Sequence, residues 1–181
     1  HYSSERNICL MANKQKNGFG RRGSKWVSPE GNVYISILLK NVLNISNHFL
    51  NTAYTSNIVC DVIEKVCKNK TMIKWPNDIL IDDKKICGII SEIYNKDNNI
   101  FINTGVGINI ISSPNVKEYI TSNVNEYNKD INSFNFVYKL LERYLKNFHI
   151  LENRSNIIIE KYKSRLRFLR KKIILKLDSN T

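Results

Sequence analysis

Apolar residues recur along this chain in two rhythms, a period of two typical of strands and a period near 3.6 typical of helices. The run 33–39 (VYISILL) is β-branched and aromatic and follows the turn residues Ser28-Pro29-Glu30-Gly31, which predicts a strand. Over 46–67, Phe49, Leu50, Ala53, Ile58, Cys60, Val62, Ile63 and Val66 return near helical spacing behind Ser46 as a cap, which predicts a long, partly buried helix. Three β-type runs follow, at 71–75, at 79–81 with 85–94, and at 100–110. The turn-forming stretches DDKK and NKDNN divide them as hairpin connections. Residues 112–132 are polar and irregular and predict a surface loop with room for a short helix. The stretch 133–151 sets Phe136, Leu140, Leu141, Tyr144, Leu145 and Phe148 on one face of a helix, and a second helix is predicted over 155–168. The run 171–177 (KKIILKL) reads as a final strand. Together these elements predict an α+β fold, a mixed, largely antiparallel sheet with helices packed on it.

At 181 residues the chain is long enough for one domain with a real core and too short for two full ones. No apolar run approaches membrane-spanning length, so no membrane partner is expected. The opening HYSSERNICL has neither a methionine nor a basic-then-apolar leader, which predicts a trimmed fragment of a cytoplasmic protein, with an organelle such as a plastid left open. A net charge of +12 favours anionic partners without choosing among them. The lysines are scattered among 26 asparagines and many isoleucines, a composition that AT-rich coding would also produce. Cys9, Cys60, Cys67 and Cys87 form no C-x-x-C pair and the three histidines lack metal-ligand spacing, so neither a disulfide nor a structural metal is expected. Cys60 and Cys67 are seven apart and should face one side of a helix.

Four short blocks carry candidate chemistry. Gly18-Phe19-Gly20-Arg21-Arg22-Gly23 is a glycine-rich basic loop whose backbone N–H groups and arginines could wrap an anion. Its spacing is neither the Rossmann fingerprint nor the P-loop, and a solvated basic loop would read much the same. In Lys74-Trp75-Pro76-Asn77-Asp78, Pro76 breaks one strand and lets another begin. Asn77 and Asp78 then fall at the mouth of the sheet, where an amide can meet a phosphate and a carboxylate can hold Mg²⁺; a plain Asn-Asp turn is the alternative. Lys84-Lys85-Ile86-Cys87-Gly88 puts a lysine three residues before a glycine that leaves room for a ligand. Thr104-Gly105-Val106-Gly107-Ile108-Asn109 ends a strand with two glycines and an amide.

In this order the four blocks, from about residue 15 to 109, resemble the biotin–protein ligase family, with its class II synthetase-like catalytic domain. The resemblance implies ATP, Mg²⁺ and biotin as ligands and the biotin carboxyl carrier domain of a carboxylase as acceptor, and it leaves a homodimer open. The implied chemistry joins biotin to AMP as biotinyl-5'-AMP and then transfers biotin to an acceptor lysine. It implies that the loop from Gly18 to Gly23 closes over biotin and its adenylate, with Phe19 and Gly20 on the biotin side and Arg21 supporting the adenylate. Gln15 matches a biotin-contacting glutamine, Trp26 a tryptophan near the nucleotide, and Asn77 with Asp78 the pair serving nucleotide, phosphate and metal. Lys85 matches the lysine that reaches biotin's carboxylate, Gly88 and Gly105 match pocket walls, and Asn109 lies on the adenylate side. Arg21 and Lys85 are therefore the candidate catalytic residues.

The chain departs from the family pattern in places. Phe19 stands where many members carry arginine, which removes a cationic contact, and Cys87 replaces a smaller residue. The family's Ser-Thr pair for the ureido end of biotin would fall before His1, so 1–170 is expected to be an N-terminally incomplete catalytic domain. Residues 171–181 would then begin a truncated SH3-like C-terminal domain. The nearest rival is lipoate–protein ligase, with the same adenylate chemistry. A basic nucleic-acid module is the rival from another class; no helix-turn-helix, RNA-binding or zinc pattern supports it, so nucleic acid is not an expected partner.

Overall fold

The computed structural model describes residues 7–40, 48–116 and 119–172. Six strands, β1 (Ile8–Ala12), β2 (Val33–Lys40), β3 (Met72–Lys74), β4 (Asp78–Ile81), β5 (Lys84–Lys96) and β6 (Asn99–Ile108), form one sheet in the order β1-β2-β6-β5-β4-β3. Among the described residues every ladder is antiparallel, and parallel pairing is limited to two isolated bridges, Ile73 with Leu166 and Lys85 with Thr121. Among the described residues four α-helices accompany the sheet: α1 (His48–Cys67), α2 (Ser133–Lys146), α3 (Phe148–Asn153) and α4 (Ser155–Ser164). The α+β expectation holds.

The hairpin turns follow directly from residue type. Asp82 and Asp83 take φ of 48° and 64°, and Asp97 and Asn98 take 49° and 59°. Two successive positive φ values make the tight turn that matches strand twist, and Asp and Asn tolerate that conformation better than other non-glycine residues.

One face of the sheet is apolar. Val33, Ile35, Ile37, Ile89, Val106 and Ile108 pack there against α1, whose Ala53, Val59, Cys60 and Ile63 are fully buried. Burial pushes the thiol of Cys60 up to about 12 and that of Cys67 to about 11, so both sit as neutral packing groups. All four cysteines are free. A second layer, α2 and α4, closes over α1, and its charged centre is Asp61. That carboxylate accepts from Arg143 at 2.6 Å, Arg165 at 2.7 Å and Lys161 at 2.8 Å, tying α1 to the helices and to the tail beyond α4.

Three elements differ from the sequence expectation. The helix expected over 133–151 is interrupted at Asn147, whose backbone leaves helical geometry and whose Nδ2 donates to Arg143 O. The helix expected over 155–168 ends at Ser164, because Arg165 O and Arg167 N–H pair with Ile73 and extend the sheet edge instead. Strand β1 was not anticipated: four of its five residues are exposed, so it lacks the alternation that marks a half-buried strand. The expected cap Ser46 and most of the expected strand 171–177 lie outside the described residues. Among the described residues no helix is long and apolar enough to cross a membrane.

Candidate functional site

The site lies on the sheet face opposite α1, and cross-strand register builds its floor. Tyr34 pairs with Gly107, Gly107 with Gly88, and Gly88 with Asp78, so these four residues form one row across four strands on a common face. Two glycines side by side in mid-sheet leave a trough with a carboxylate at one end. The Trp26 indole lies in that trough. A Cβ at Gly107 would come within 2.6 Å of the ring, and one at Gly88 within 2.9 Å, so neither position has room for a side chain. The indole Nε1 is buried over Gly107 without a hydrogen-bond partner.

A bulge aims the key lysine. On β5, Cys87 pairs with Ile79 and Lys85 with Leu80, so Ile86 is an extra residue with no partner on β4. Without that slip Lys85 would share the core face with Cys87; with it, Lys85 turns to the glycine face. Its Nζ then lies 2.8 Å from Asp78 Oδ1, and its side chain is only 12% exposed. The rings of Trp26 and Tyr119 lie 5.2 Å and 4.8 Å from the same nitrogen. Lys84, on the outer side of the turn, is 42% exposed and reaches Glu126 only at 4.0 Å.

The basic loop is pinched at its neck and open at its tip. Trp26 N–H donates to Gly18 O at 2.9 Å, Gly20 N–H donates to Ser24 O at 2.7 Å, and Phe19 bridges Lys25. Ser28 Oγ donates to Gln15 Oε1, and both oxygens crowd Gly18, where a Cβ would lie 2.6 Å from one and 2.8 Å from the other. Gly23 takes φ of +72°, the left-handed region where glycine is least strained. Arg21, Arg22 and Lys25 make no ion pair among the described residues. Burial pushes the Tyr162 phenol up, and the charge of Arg21 pulls the other way.

The fourth wall is the segment after β6. Buried Asn32 accepts from the N–H groups of Ile110, Ile111 and Ser112, and Asn109 Nδ2 donates to Ser122 O at 3.0 Å. Space between Trp26, Lys85, Asn109 and Tyr119 amounts to about 10 Å³, room for about one water. An open cleft of about 460 Å³ adjoins it, between 113–116 and 119–121.

Lys85, Asp78, Trp26 and Gly88 from the sequence reading therefore converge. Asn109 lines the same place, though its amide nitrogen braces the segment. Asn77 donates to Ile89 O and accepts from Ile89 N–H through its own carbonyl, which joins β4 to β5. Gly105 lies two pairs further along the ladder, against Ile90. Gln15, Phe19, Gly20 and Arg21 remain on the loop. The sequence reading did not single out Gly107, although it stands in the G-x-G block, or Tyr119, whose segment looked irregular. No group of three metal-ligating side chains occurs among the described residues. Asp78 alone fits a Mg²⁺ ion that arrives on phosphate oxygens and keeps its waters.

Residues 3–109 match the profile of the Biotin/lipoate A/B protein ligase family. The chain belongs to that family. Among curated members, the bifunctional ligase/repressor BirA of Bacillus subtilis (strain 168) is 36% identical over 108 residues, 59% of this chain and 33% of that protein. Among solved structures, the biotin protein ligase of Aquifex aeolicus in complex with biotin and ATP superposes with a TM-score of 0.72 at 25% identity, covering 88% of this chain and 68% of the other. A mutant of the same ligase in complex with biotin gives 0.76 at 26% identity, covering 90% and 70%. The matched part of this family member thus spans about a third of the B. subtilis protein's length.

Proposed function

We propose that this site activates biotin with ATP and passes it to a lysine of an acceptor protein, the biotin carboxyl carrier domain of a carboxylase. The observation that supports this most is the Lys85 ammonium, turned by the bulge onto a glycine floor beside a single carboxylate. A carboxylate is a poor nucleophile toward a polyanion because two negative groups must meet. A largely buried ammonium at the meeting point would offset that repulsion, and it is already oriented when charge builds up on the phosphoryl oxygens.

In the first step a carboxylate oxygen of biotin attacks the α-phosphorus of ATP, the bond to the bridging oxygen breaks, and pyrophosphate leaves. In the second, the acceptor lysine's neutral amine attacks the acyl carbon, AMP leaves, and the amine's extra proton goes to solvent. Lys85 binds the carboxylate in the first step. Asp78 would hold Mg²⁺ brought by the nucleotide, which supplies further charge neutralisation there. Arg21, on the loop tip, would come to the adenylate when the loop closes and keeps water from the mixed anhydride. The trough is filled by the Trp26 indole, so a bicyclic ligand on this floor needs that ring to move. The net charge of +12 suits an acidic acceptor.

Isotope exchange between labelled pyrophosphate and ATP tests the reading. Exchange that requires biotin is the expected result. Exchange that requires lipoate instead would transfer the same chemistry to the sister substrate, and no exchange with either would end the proposal.

A further inference from the structure

The Lys85 ammonium is held on three sides, and one side comes from beyond residue 109. Besides Asp78 at 2.8 Å and the Trp26 ring at 5.2 Å, the Tyr119 ring lies 4.8 Å from Nζ. Tyr119 falls beyond the family-matched residues 3–109. Its placement is not the casual approach of two surface chains. Lys85 N–H donates to Ile120 O at 2.8 Å, and Ser122 N–H donates to Lys85 O at 3.0 Å, so the main chain of Lys85 anchors the segment that carries the ring.

We propose that Tyr119 is a positioning residue for Lys85, its ring face keeping the ammonium over the Gly88–Gly107 floor; this rests on the adenylating function proposed above. One carboxylate cannot serve Lys85 and a nucleotide's phosphates and metal equally. When Asp78 turns to the nucleotide, a lysine on a flexible four-carbon stem loses its ion-pair partner and would swing away. An aromatic face attracts a cation without neutralising it, so the ammonium keeps its charge for an incoming carboxylate. An acidic residue in that place would compete with the substrate, and an aliphatic one would hold nothing.

The test uses the full chain with Tyr119→Phe, Tyr119→Leu, Lys85→Ala and the Lys85→Ala/Tyr119→Leu double variant. Tyr119→Leu is expected to lower the maximal rate of biotin-dependent pyrophosphate exchange by about 3- to 30-fold, the range for a half-desolvated cation–π contact. The KM for ATP should stay within about twofold, since the ring acts through the lysine. Tyr119→Phe should restore the rate, because the attraction needs the ring and not the hydroxyl. In the Lys85→Ala background, Tyr119→Leu should add nothing. Multiplying effects in the double variant, or Tyr119→Phe as slow as Tyr119→Leu, would overturn the proposal.

A second readout needs no substrate. An amine-acylating reagent, followed by mass spectrometry, should modify Lys85 about 3-fold faster or more in Tyr119→Leu than in the parent chain or in Tyr119→Phe. Equal labelling in all three overturns the proposal even if exchange is seen. Loss of biotin-dependent exchange in the parent chain would remove the biotin reading, while the labelling still decides the role of Tyr119.

Discussion

Replacing Lys85 by alanine is expected to lower biotin-dependent pyrophosphate exchange by about a hundredfold or more, while replacing Lys84 changes it by less than about twofold. The two lysines are neighbours in one turn, so composition and net charge are the same in both variants. They differ in where the bulge sends them. Lys85 is 12% exposed and paired at 2.8 Å, whereas Lys84 is 42% exposed and no closer than 4.0 Å to a carboxylate. In the proposed reaction a charge-assisted hydrogen bond from Lys85 to biotin would contribute about 1.5–3 kcal/mol to binding, and its loss would lower affinity by roughly 10- to 150-fold. The rate should fall further, because in the proposed reaction the same ammonium would face charge developing on the phosphoryl oxygens. Exchange rates of the two variants, with thermal midpoints to show that both are folded, check this. Equal and small effects would mean that both lysines are ordinary turn residues.

Asp61→Ala should strongly destabilise the helical layer. The Asp61 side chain is 8% exposed and faces Arg143, Lys161 and Arg165 within 2.8 Å. Removing it leaves the half-buried Arg165 with Glu64 alone, at 2.9 Å. Breaking a buried ion pair by deleting one partner costs about 3–5 kcal/mol, and the remaining Glu64 contact puts this case near 3 kcal/mol. For a chain of this size that is a fall of roughly 6–12 °C in the unfolding midpoint by calorimetry. The same group sets an acid limit. Burial alone would raise its pKa, but hydrogen bonds from Lys161, Arg165 and Arg143 outweigh burial and hold it below the ordinary 3.8. A carboxyl depressed in the folded state stabilises fully above its unfolded value and loses that contribution as pH falls through its folded one. The parent midpoint should therefore drop below about pH 4 more steeply than that of Asp61→Ala. Parallel pH profiles would contradict the assignment.

The sequence made some of this legible and hid the rest for physical reasons. The two tight hairpins could be read from DDKK and NKDNN because Asp and Asn are the residues that accept positive φ. The strand break at Lys74-Trp75-Pro76-Asn77 was equally legible, since proline cannot donate to a ladder. The floor was half legible: Gly88 and Gly105 were marked as pocket walls, but Gly107 is the residue under the indole, and only register decides that. The pairing of Lys85 with Asp78 depends on a one-residue slip between β4 and β5, and no local pattern announces a bulge in Lys84-Lys85-Ile86-Cys87. The Asp61 cluster was hidden because its partners are 82 to 104 positions away in sequence. Strand β1 was missed because an exposed edge strand carries little alternation, and Tyr119 because its segment takes shape from Asn32 and Asn109 rather than from its own sequence.

The trough over Gly88 and Gly107, with Lys85 at its end, is proposed to join biotin to AMP. The most direct measurement is mass spectrometry of the acid-quenched reaction of the chain with ATP, Mg²⁺ and biotin in the absence of any acceptor protein. Biotinyl-5'-AMP and an equal amount of pyrophosphate are expected from the parent chain, with both formed about a hundredfold or more slowly by Lys85→Ala. Hydrolysis of ATP without the biotinyl adenylate, or adenylate formed at the same rate by Lys85→Ala, would contradict the proposal.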